Sequence, residues 1–170
     1  GEVFFHGEAI TNLPSKKLLP YRQRMQMVFQ SSYDSFDPYY DVRQILTEPL
    51  LHCKNDLRRD SEKMLVEVLE QVGLGESYLS RYPNELSGGQ CQRIGIARAL
   101  ITKPEFVVCD EAVSSLDYGV RNKILDLLRE LKTTYALTYL FISHDMSATR
   151  KVCDRVIVMY LGTIVEITSN

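Results

Sequence analysis

Asp110 and Glu111 stand as adjacent carboxylates at the end of the apolar run "FVVC". Neighbouring residues of a strand point to opposite sides, so one carboxylate can face a cation and the other a water. Asp110 suits Mg²⁺, a hard cation that prefers oxygen ligands and keeps several waters. Glu111 suits a general base that orients or deprotonates water. The plainer alternative is a strand end solvated by two acids. His144 follows a second apolar run in "LFISHD". A lone histidine is more often structural, but this one shares a sheet edge with the acid pair if the two strands are parallel neighbours. Gln30 closes "MQMVFQ", where an amide can hold a metal-bound water or orient an attacking one. Asp117 in "SSLD" is either a site residue or only the cap of the helix after it.

The stretch "LSGGQ" at 86–90 adds a different chemistry. Ser87 and Gln90 match a capping box, which predicts a helix start. The first N–H groups of a helix lack partners within it, and the helix dipole favours negative charge there. Glycines at 88 and 89 would let an anion approach the backbone. A glycine-tolerant helix start with no ligand is the alternative.

Positioning these residues requires particular elements. "GEVFFHGEAI" reads as two short strands around a His-Gly turn. "PSKKLLPYRQR" reads as a polar connector with one helical turn, and "MQMVFQ" as a strand ending at Gln30. Pro38 breaks the Ser-, Asp- and Tyr-rich stretch that follows. Residues 61–72 place Met64, Leu65, Val68, Leu69 and Val72 on one helical face. The helix opened by "LSGGQ" runs to about Thr102. Residues 119–132 form an amphipathic helix with Val120, Ile124, Leu127, Leu128 and Leu131 inward. "DRVIVMYLGTIVEI" reads as two strands around a Leu161-Gly162 turn. Helix and strand alternate through the second half, the pattern of a parallel sheet covered by helices. Ligands of such sheets sit at the carboxyl ends of the strands.

The bulk composition narrows the function classes. The chain has 170 residues, 45% hydrophobic and 25% charged, with net charge −2. That balance supplies no basic field for nucleic acid, and no apolar run approaches the length of a membrane span. Cys53, Cys91, Cys109 and Cys153 form no CxxC pair and no zinc spacing, so they read as free thiols.

Taken together, these motifs resemble the nucleotide-binding subunit of an ABC transporter. Gln30 matches the Q-loop, "LSGGQ" the signature, "FVVCDE" the Walker B strand with its glutamate, "SSLD" the D-loop and His144 the switch histidine. "RMQMVFQ", "RYPNELSGGQ", "LTYLFISHDMS" and "DRVIVMYLGTIVE" further resemble the importer ATPases of the peptide/nickel family. Ala112 and Cys153 lean towards the nickel branch.

The resemblance implies an α/β fold: a P-loop NTPase (ABC ATPase) core with a parallel sheet, incomplete at the N-terminus, plus a helical subdomain. Residues 1–30 would end the N-terminal β region and the Q-loop strand, 31–103 would form the helical subdomain with the signature, and 104–170 the rest of the core. It also implies ATP and Mg²⁺. Ser87, Gly88, Gly89 and Gln90 would face the γ-phosphate of a nucleotide held by a second ATPase subunit. Asp110 and Gln30 would serve the metal, Glu111 would polarise water, His144 would hold developing charge and Asp117 would cross the dimer interface. Tyr33, Phe36, Tyr39 and Tyr40 would be either core aromatics or a surface for a transmembrane permease subunit. A substrate-binding protein would be an indirect partner, and nucleic acid none. The expected location is the cytoplasmic face of the membrane, as a peripheral subunit.

The chain departs from the family in one large respect. It contains no G-x-x-x-x-G-K-[ST] run, and Lys16 and Lys17 follow no glycine loop. The expectation is that a P-loop precedes Gly1 in the source gene and that these 170 residues alone neither bind ATP tightly nor hydrolyse it. A non-catalytic remnant that keeps only the signature half-site is the alternative, as is a soluble ABC-type ATPase. Cys91 stands where the family has a polar residue, with a modest expected effect. "FQSSYDSFDP" replaces an "FQDP" opening.

Overall fold

A computed structural model describes residues 1–52 and 61–169. Three strands build the central sheet: β3 (Met25–Val28), β4 (Phe106–Asp110) and β5 (Thr138–Ile142), all parallel, with β4 in the middle. Val28 pairs with Cys109, and Cys109 with Phe141. Val28, Val107 and Cys109 are buried on one face, whereas Met27, Leu140 and Ile142 on the other remain exposed. The sheet is therefore covered more completely on one side than the near-continuous apolar run of β4 suggests.

Helices α3 (Ser61–Gln71), α4 (Gly88–Leu100) and α5 (Tyr118–Thr134) supply most of the core. In α5 the inward face is Ile124, Leu125, Leu127, Leu128 and Leu131, as the periodicity indicates. Helix α4 buries residues around most of its circumference, including Gln92 and Gly95, as a helix enclosed by the fold does. Helix α2 (Val42–Thr47) starts with a capping box from Asp41 and Gln44. Helix α6 (Met146–Val152) starts at Asp145.

Two short antiparallel hairpins flank this arrangement: β1 (Phe4–Phe5) with β2 (Glu8–Ala9), and β6 (Arg155–Tyr160) with β7 (Thr163–Ser169). Both turn at the sites read from the sequence. His6 and Gly7, and Leu161 and Gly162, all have positive φ, the requirement of a two-residue turn matched to strand twist.

Two expectations need correction. The stretch read as a connector is a ten-residue helix, α1 (Ser15–Arg24), with Pro20 inside it. Proline disfavours a helix interior, but tertiary contacts hold this one at its C-terminal half. The Tyr21 hydroxyl donates to Glu8, Arg24 donates to Glu105 at 2.6 and 2.9 Å, and Thr102 Oγ1 donates to the Gln23 carbonyl at 3.0 Å. The strand read as ending at Gln30 stops at Val28, because the Phe29 carbonyl turns away to accept from Gln92 Nε2 at 3.3 Å. Cys91 and Cys109 are free thiols, both buried; Cys53 lies outside the described residues.

Candidate functional site

The carboxyl ends of β3, β4 and β5 bring Gln30, Asp110, Glu111 and His144 to one edge. Glu111 is the hub. Its Oε2 accepts from Gln30 Nε2 at 3.1 Å, and its Oε1 bonds His144 Nδ1 at 3.1 Å. An ionised carboxylate can only accept, so this bond puts the imidazole proton on Nδ1 and leaves Nε2 turned to other partners. The Glu111 side chain is 32% exposed and that of His144 73%, so both can be reached from solvent.

The pleat does not aim Glu111, contrary to the alternation argument. Asp110 is the last residue of β4, and Glu111 already lies in the left-handed region at φ 46°. A non-glycine residue there is strained. Its backbone N–H still donates to the Ile142 carbonyl at 3.0 Å, so the ladder to β5 fixes the turn while the side chain swings towards Gln30 and His144. His144 is anchored by its neighbour: Asp145 Oδ1 accepts from the N–H groups of Ser147 and Ala148 at the start of α6. The Ser147 hydroxyl, followed by the Ala148 N–H, holds the Asp145 carboxyl below its usual range.

Asp110 and Gln30 are the groups that could serve a metal. Gln30 spends its amide N–H groups on Glu111 and on Ser114 Oγ at 3.3 Å, which leaves its carbonyl oxygen for another partner. With the Asp110 carboxylate this makes two hard oxygen donors. Among the described residues no group of three or more His, Cys, Asp or Glu side chains gathers as a complete metal site. The donor set fits Mg²⁺, which is commonly held by one or two protein oxygens plus water and substrate phosphates.

The 86–90 turn forms as the capping box requires. Ser87 N–H donates to Gln90 Oε1 at 2.8 Å, and Gln90 N–H to Ser87 Oγ at 3.4 Å. The Cys91 N–H returns to the Ser87 carbonyl. Among the described residues the N–H groups of Gly88 and Gly89 have no hydrogen-bond partner, which is what an anion site at a helix start needs. Gln90 is otherwise engaged, donating to the Tyr78 hydroxyl at 2.9 Å.

The two glycines differ. A Cβ on Gly88 would meet only Leu116 Cδ2 at 3.9 Å, whereas one on Gly89 would lie 2.5 Å from Val120 Cγ1. Gly88 is free for a ligand, and Gly89 makes room for α5. No hydrogen bond joins this turn to the Glu111 cluster among the described residues. Asp117 is the N-cap of α5 by position, yet its side chain makes no capping bond, and it is exposed.

Sequence reasoning missed several supporting residues. Ser114 Oγ donates to the Glu111 carbonyl at 2.9 Å and receives Gln30. Three residues on one side of α4 clamp the segment after Gln30: Gln92 on Phe29, Gly95 against Ser32, and Arg98 on the Ser35 carbonyl and hydroxyl at 3.0 and 2.8 Å. Polar Gln92 and Arg98, set among the buried residues of the helix, were the available signal. The aromatic stretch splits: Phe36 is buried at 6%, under the Arg98 guanidinium, while Tyr33, Tyr39 and Tyr40 are 48%, 86% and 39% exposed. Cys91 is buried, and burial pushes its thiol up.

The family model described as "ABC transporter" matches residues 1–114. The oligopeptide transport ATP-binding protein OppF of Bacillus subtilis is 44% identical over 169 residues, covering 98% of this chain and 55% of that protein. AppF of Bacillus subtilis, also an oligopeptide transport ATP-binding protein, is 46% identical over 172 residues, covering 100% of this chain and 52% of that protein. The chain thus spans about half the length of the curated relatives it matches. Among solved structures, the dimeric post-hydrolysis state of the ATP-binding cassette MJ0796 bound to ADP and Pi superposes with TM-score 0.82 at 28% identity, covering 99% of this chain and 73% of that one. With the Glu111 cluster and the open turn at Gly88 in place, the match over 114 of 170 residues settles the family: this chain belongs to the ABC transporters, in their ATP-binding domain.

Proposed function

We propose that this chain supplies the hydrolytic switch and the signature of an ATP-hydrolysing subunit that drives peptide import. The observation that carries this reading is Glu111, held between Gln30 and His144 at the edge where the parallel strands end. Glu111 accepts the proton of the attacking water and orients it. His144, with Nδ1 committed to Glu111, turns Nε2 towards the γ-phosphate and, when that nitrogen also carries a proton, donates to the charge that develops there. Gln30 holds Glu111 and senses the occupied site. Asp110 and the Gln30 carbonyl would hold Mg²⁺, which when bound would neutralise phosphate charge. The N–H groups of Gly88 and Gly89, with Ser87, donate to the γ-phosphate of a nucleotide held by a second subunit. Gln90 shapes that turn by capping it, and Asp117, free of a capping duty, faces the same partner.

The dimeric state of the MJ0796 cassette supports a paired arrangement, and the oligopeptide transport role named for OppF and AppF supports peptide over nickel as cargo. Permease subunits and a peripheral place at the membrane follow from the importer reading. No helix among the described residues is long and apolar enough to cross a membrane. Phosphate binding by the 170 residues alone is weak on this reading, because they hold no P-loop lysine.

The test is Glu111→Gln in the full-length subunit assembled with its permease. ATP turnover and ATP-driven uptake of a labelled oligopeptide should both fall by about 100-fold or more. Turnover at the unsubstituted rate would overturn the reading.

A further inference from the structure

One enclosed arginine joins two loops that the mechanism treats separately. Arg121 lies in the first turn of α5, just after the 114–117 loop. Its Nη1 donates to Asp145 Oδ2 at 3.1 Å and its Nη2 to the Leu116 carbonyl at 3.4 Å. Its backbone N–H donates to the Asp117 carbonyl at 2.8 Å. Only 28% of the Arg121 side chain and 26% of the Asp145 side chain are exposed, so water screens this pair less than a surface bridge. Arg121 Nε is buried without a partner. Burying an unpaired donor is unfavourable, which indicates that the guanidinium is placed for its two Nη contacts.

Asp145 completes the link. Its other oxygen, Oδ1, accepts from Ser147 N–H at 2.8 Å, Ser147 Oγ at 2.6 Å and Ala148 N–H at 3.2 Å. The carboxylate thereby caps α6 with one oxygen and holds Arg121 with the other. The next residue back is His144, bonded to Glu111. A continuous path runs from the Leu116 carbonyl through Arg121 and Asp145 to His144 and Glu111.

We propose that Arg121 is a positioning residue that couples the 114–117 loop to His144, so that engagement of Asp117 by the partner subunit sets the switch histidine. The proposal rests on the reading above, in which Glu111 and His144 act on ATP and Asp117 faces a partner. The fork of Arg121 is essential to it. A lysine keeps the charge but presents a point donor instead of a planar fork, so it cannot hold Leu116 and Asp145 in the same geometry. Asp145→Asn separates the two jobs of Asp145, because an amide oxygen can still cap α6 while the charge facing Arg121 is gone.

The experiment uses the full-length subunit in its transporter complex, as wild type, R121K, D145N, D117A, E111Q and the double variant D117A/R121K. Steady-state ATP turnover and thermal midpoints are read. R121K and D145N should each lower kcat by about 10- to 100-fold, as small misplacements of catalytic groups do, with KM within about twofold. D117A/R121K should turn over no more slowly than the worse single variant, since both break one path. Three results would overturn the proposal: unchanged kcat in R121K and D145N, losses that recover when the assay is cooled below a lowered midpoint, or independent, multiplying effects of D117A and R121K. E111Q separates the levels. Full turnover in E111Q sinks the underlying mechanism, whereas a dead E111Q beside an active R121K sinks only the coupling.

Discussion

Gly88 and Gly89 look equivalent in sequence, yet their neighbours assign them different tasks. A Cβ at 89 would press on Val120 Cγ1 at 2.5 Å, while one at 88 has room. Gly89→Ala should destabilise the full-length protein by about 1–3 kcal/mol in denaturant unfolding, the range for an overpacked contact. Val120→Ala in the same chain should recover most of that loss; no recovery would place the strain elsewhere. Gly88→Ala should leave stability within about 0.5 kcal/mol, so a defect in ATP-dependent pairing there would report on the anion contact. The identity of these glycines was legible in "LSGGQ", but their division of labour was not, because Val120 comes from another helix. Glu111 teaches the same lesson. Its type was legible in "DE", while its aim depends on a left-handed turn at φ 46° that no sequence period encodes.

The segment after Gln30 and helix α4 form one unit at the scale of elements. Gln92, Gly95 and Arg98 hold Phe29, Ser32 and Ser35. Ser32 is 2% exposed, and its hydroxyl has no partner. The close approach at Gly95 therefore explains its burial: a Cβ there would sit 2.8 Å from Ser32 Cβ and overlap its hydroxyl. Gly95→Ala should cost about 1–3 kcal/mol and should shift Gln30 away from Glu111, lowering ATP turnover as well. Ser32→Gly should restore stability to the Gly95→Ala chain; failure to do so would show that the contact is not the cause. Burial lowers the Arg98 pKa, with Glu48 opposing the shift, yet its hydrogen bonds to Ser35 and its place over Phe36 persist. The helix itself was legible from its capping box and apolar content. The latch was not, because it joins residues 63 apart in the chain. Helix α1 was illegible for a related reason: Pro20 and a polar surface argue against it, and distant Glu8, Glu105 and Thr102 hold it.

At the scale of the molecule, a three-stranded parallel sheet sets the edge that carries Gln30, Glu111 and His144, and the start of α4 sets the 86–90 turn. The parallel sheet was legible from the alternation of helix and strand in the second half, and with it the edge shared by Glu111 and His144; the place of β3 beside β4, which brings in Gln30, was not. The partial exposure of one sheet face was not legible, since apolar runs state a need for burial without naming the partner. Tyr39 and Tyr40, exposed where Phe36 is buried, offer an aromatic surface for a permease helix on the proposed reading. Alanine at both positions should lower peptide uptake while the isolated full-length subunit keeps its basal ATPase; equal loss of both activities would contradict docking. The most direct measurement of the central claim is the nucleotide held by the Glu111→Gln subunit after incubation with ATP and Mg²⁺. Unhydrolysed ATP retained in a stable dimer is the expected result, and ADP released at the wild-type rate would contradict it.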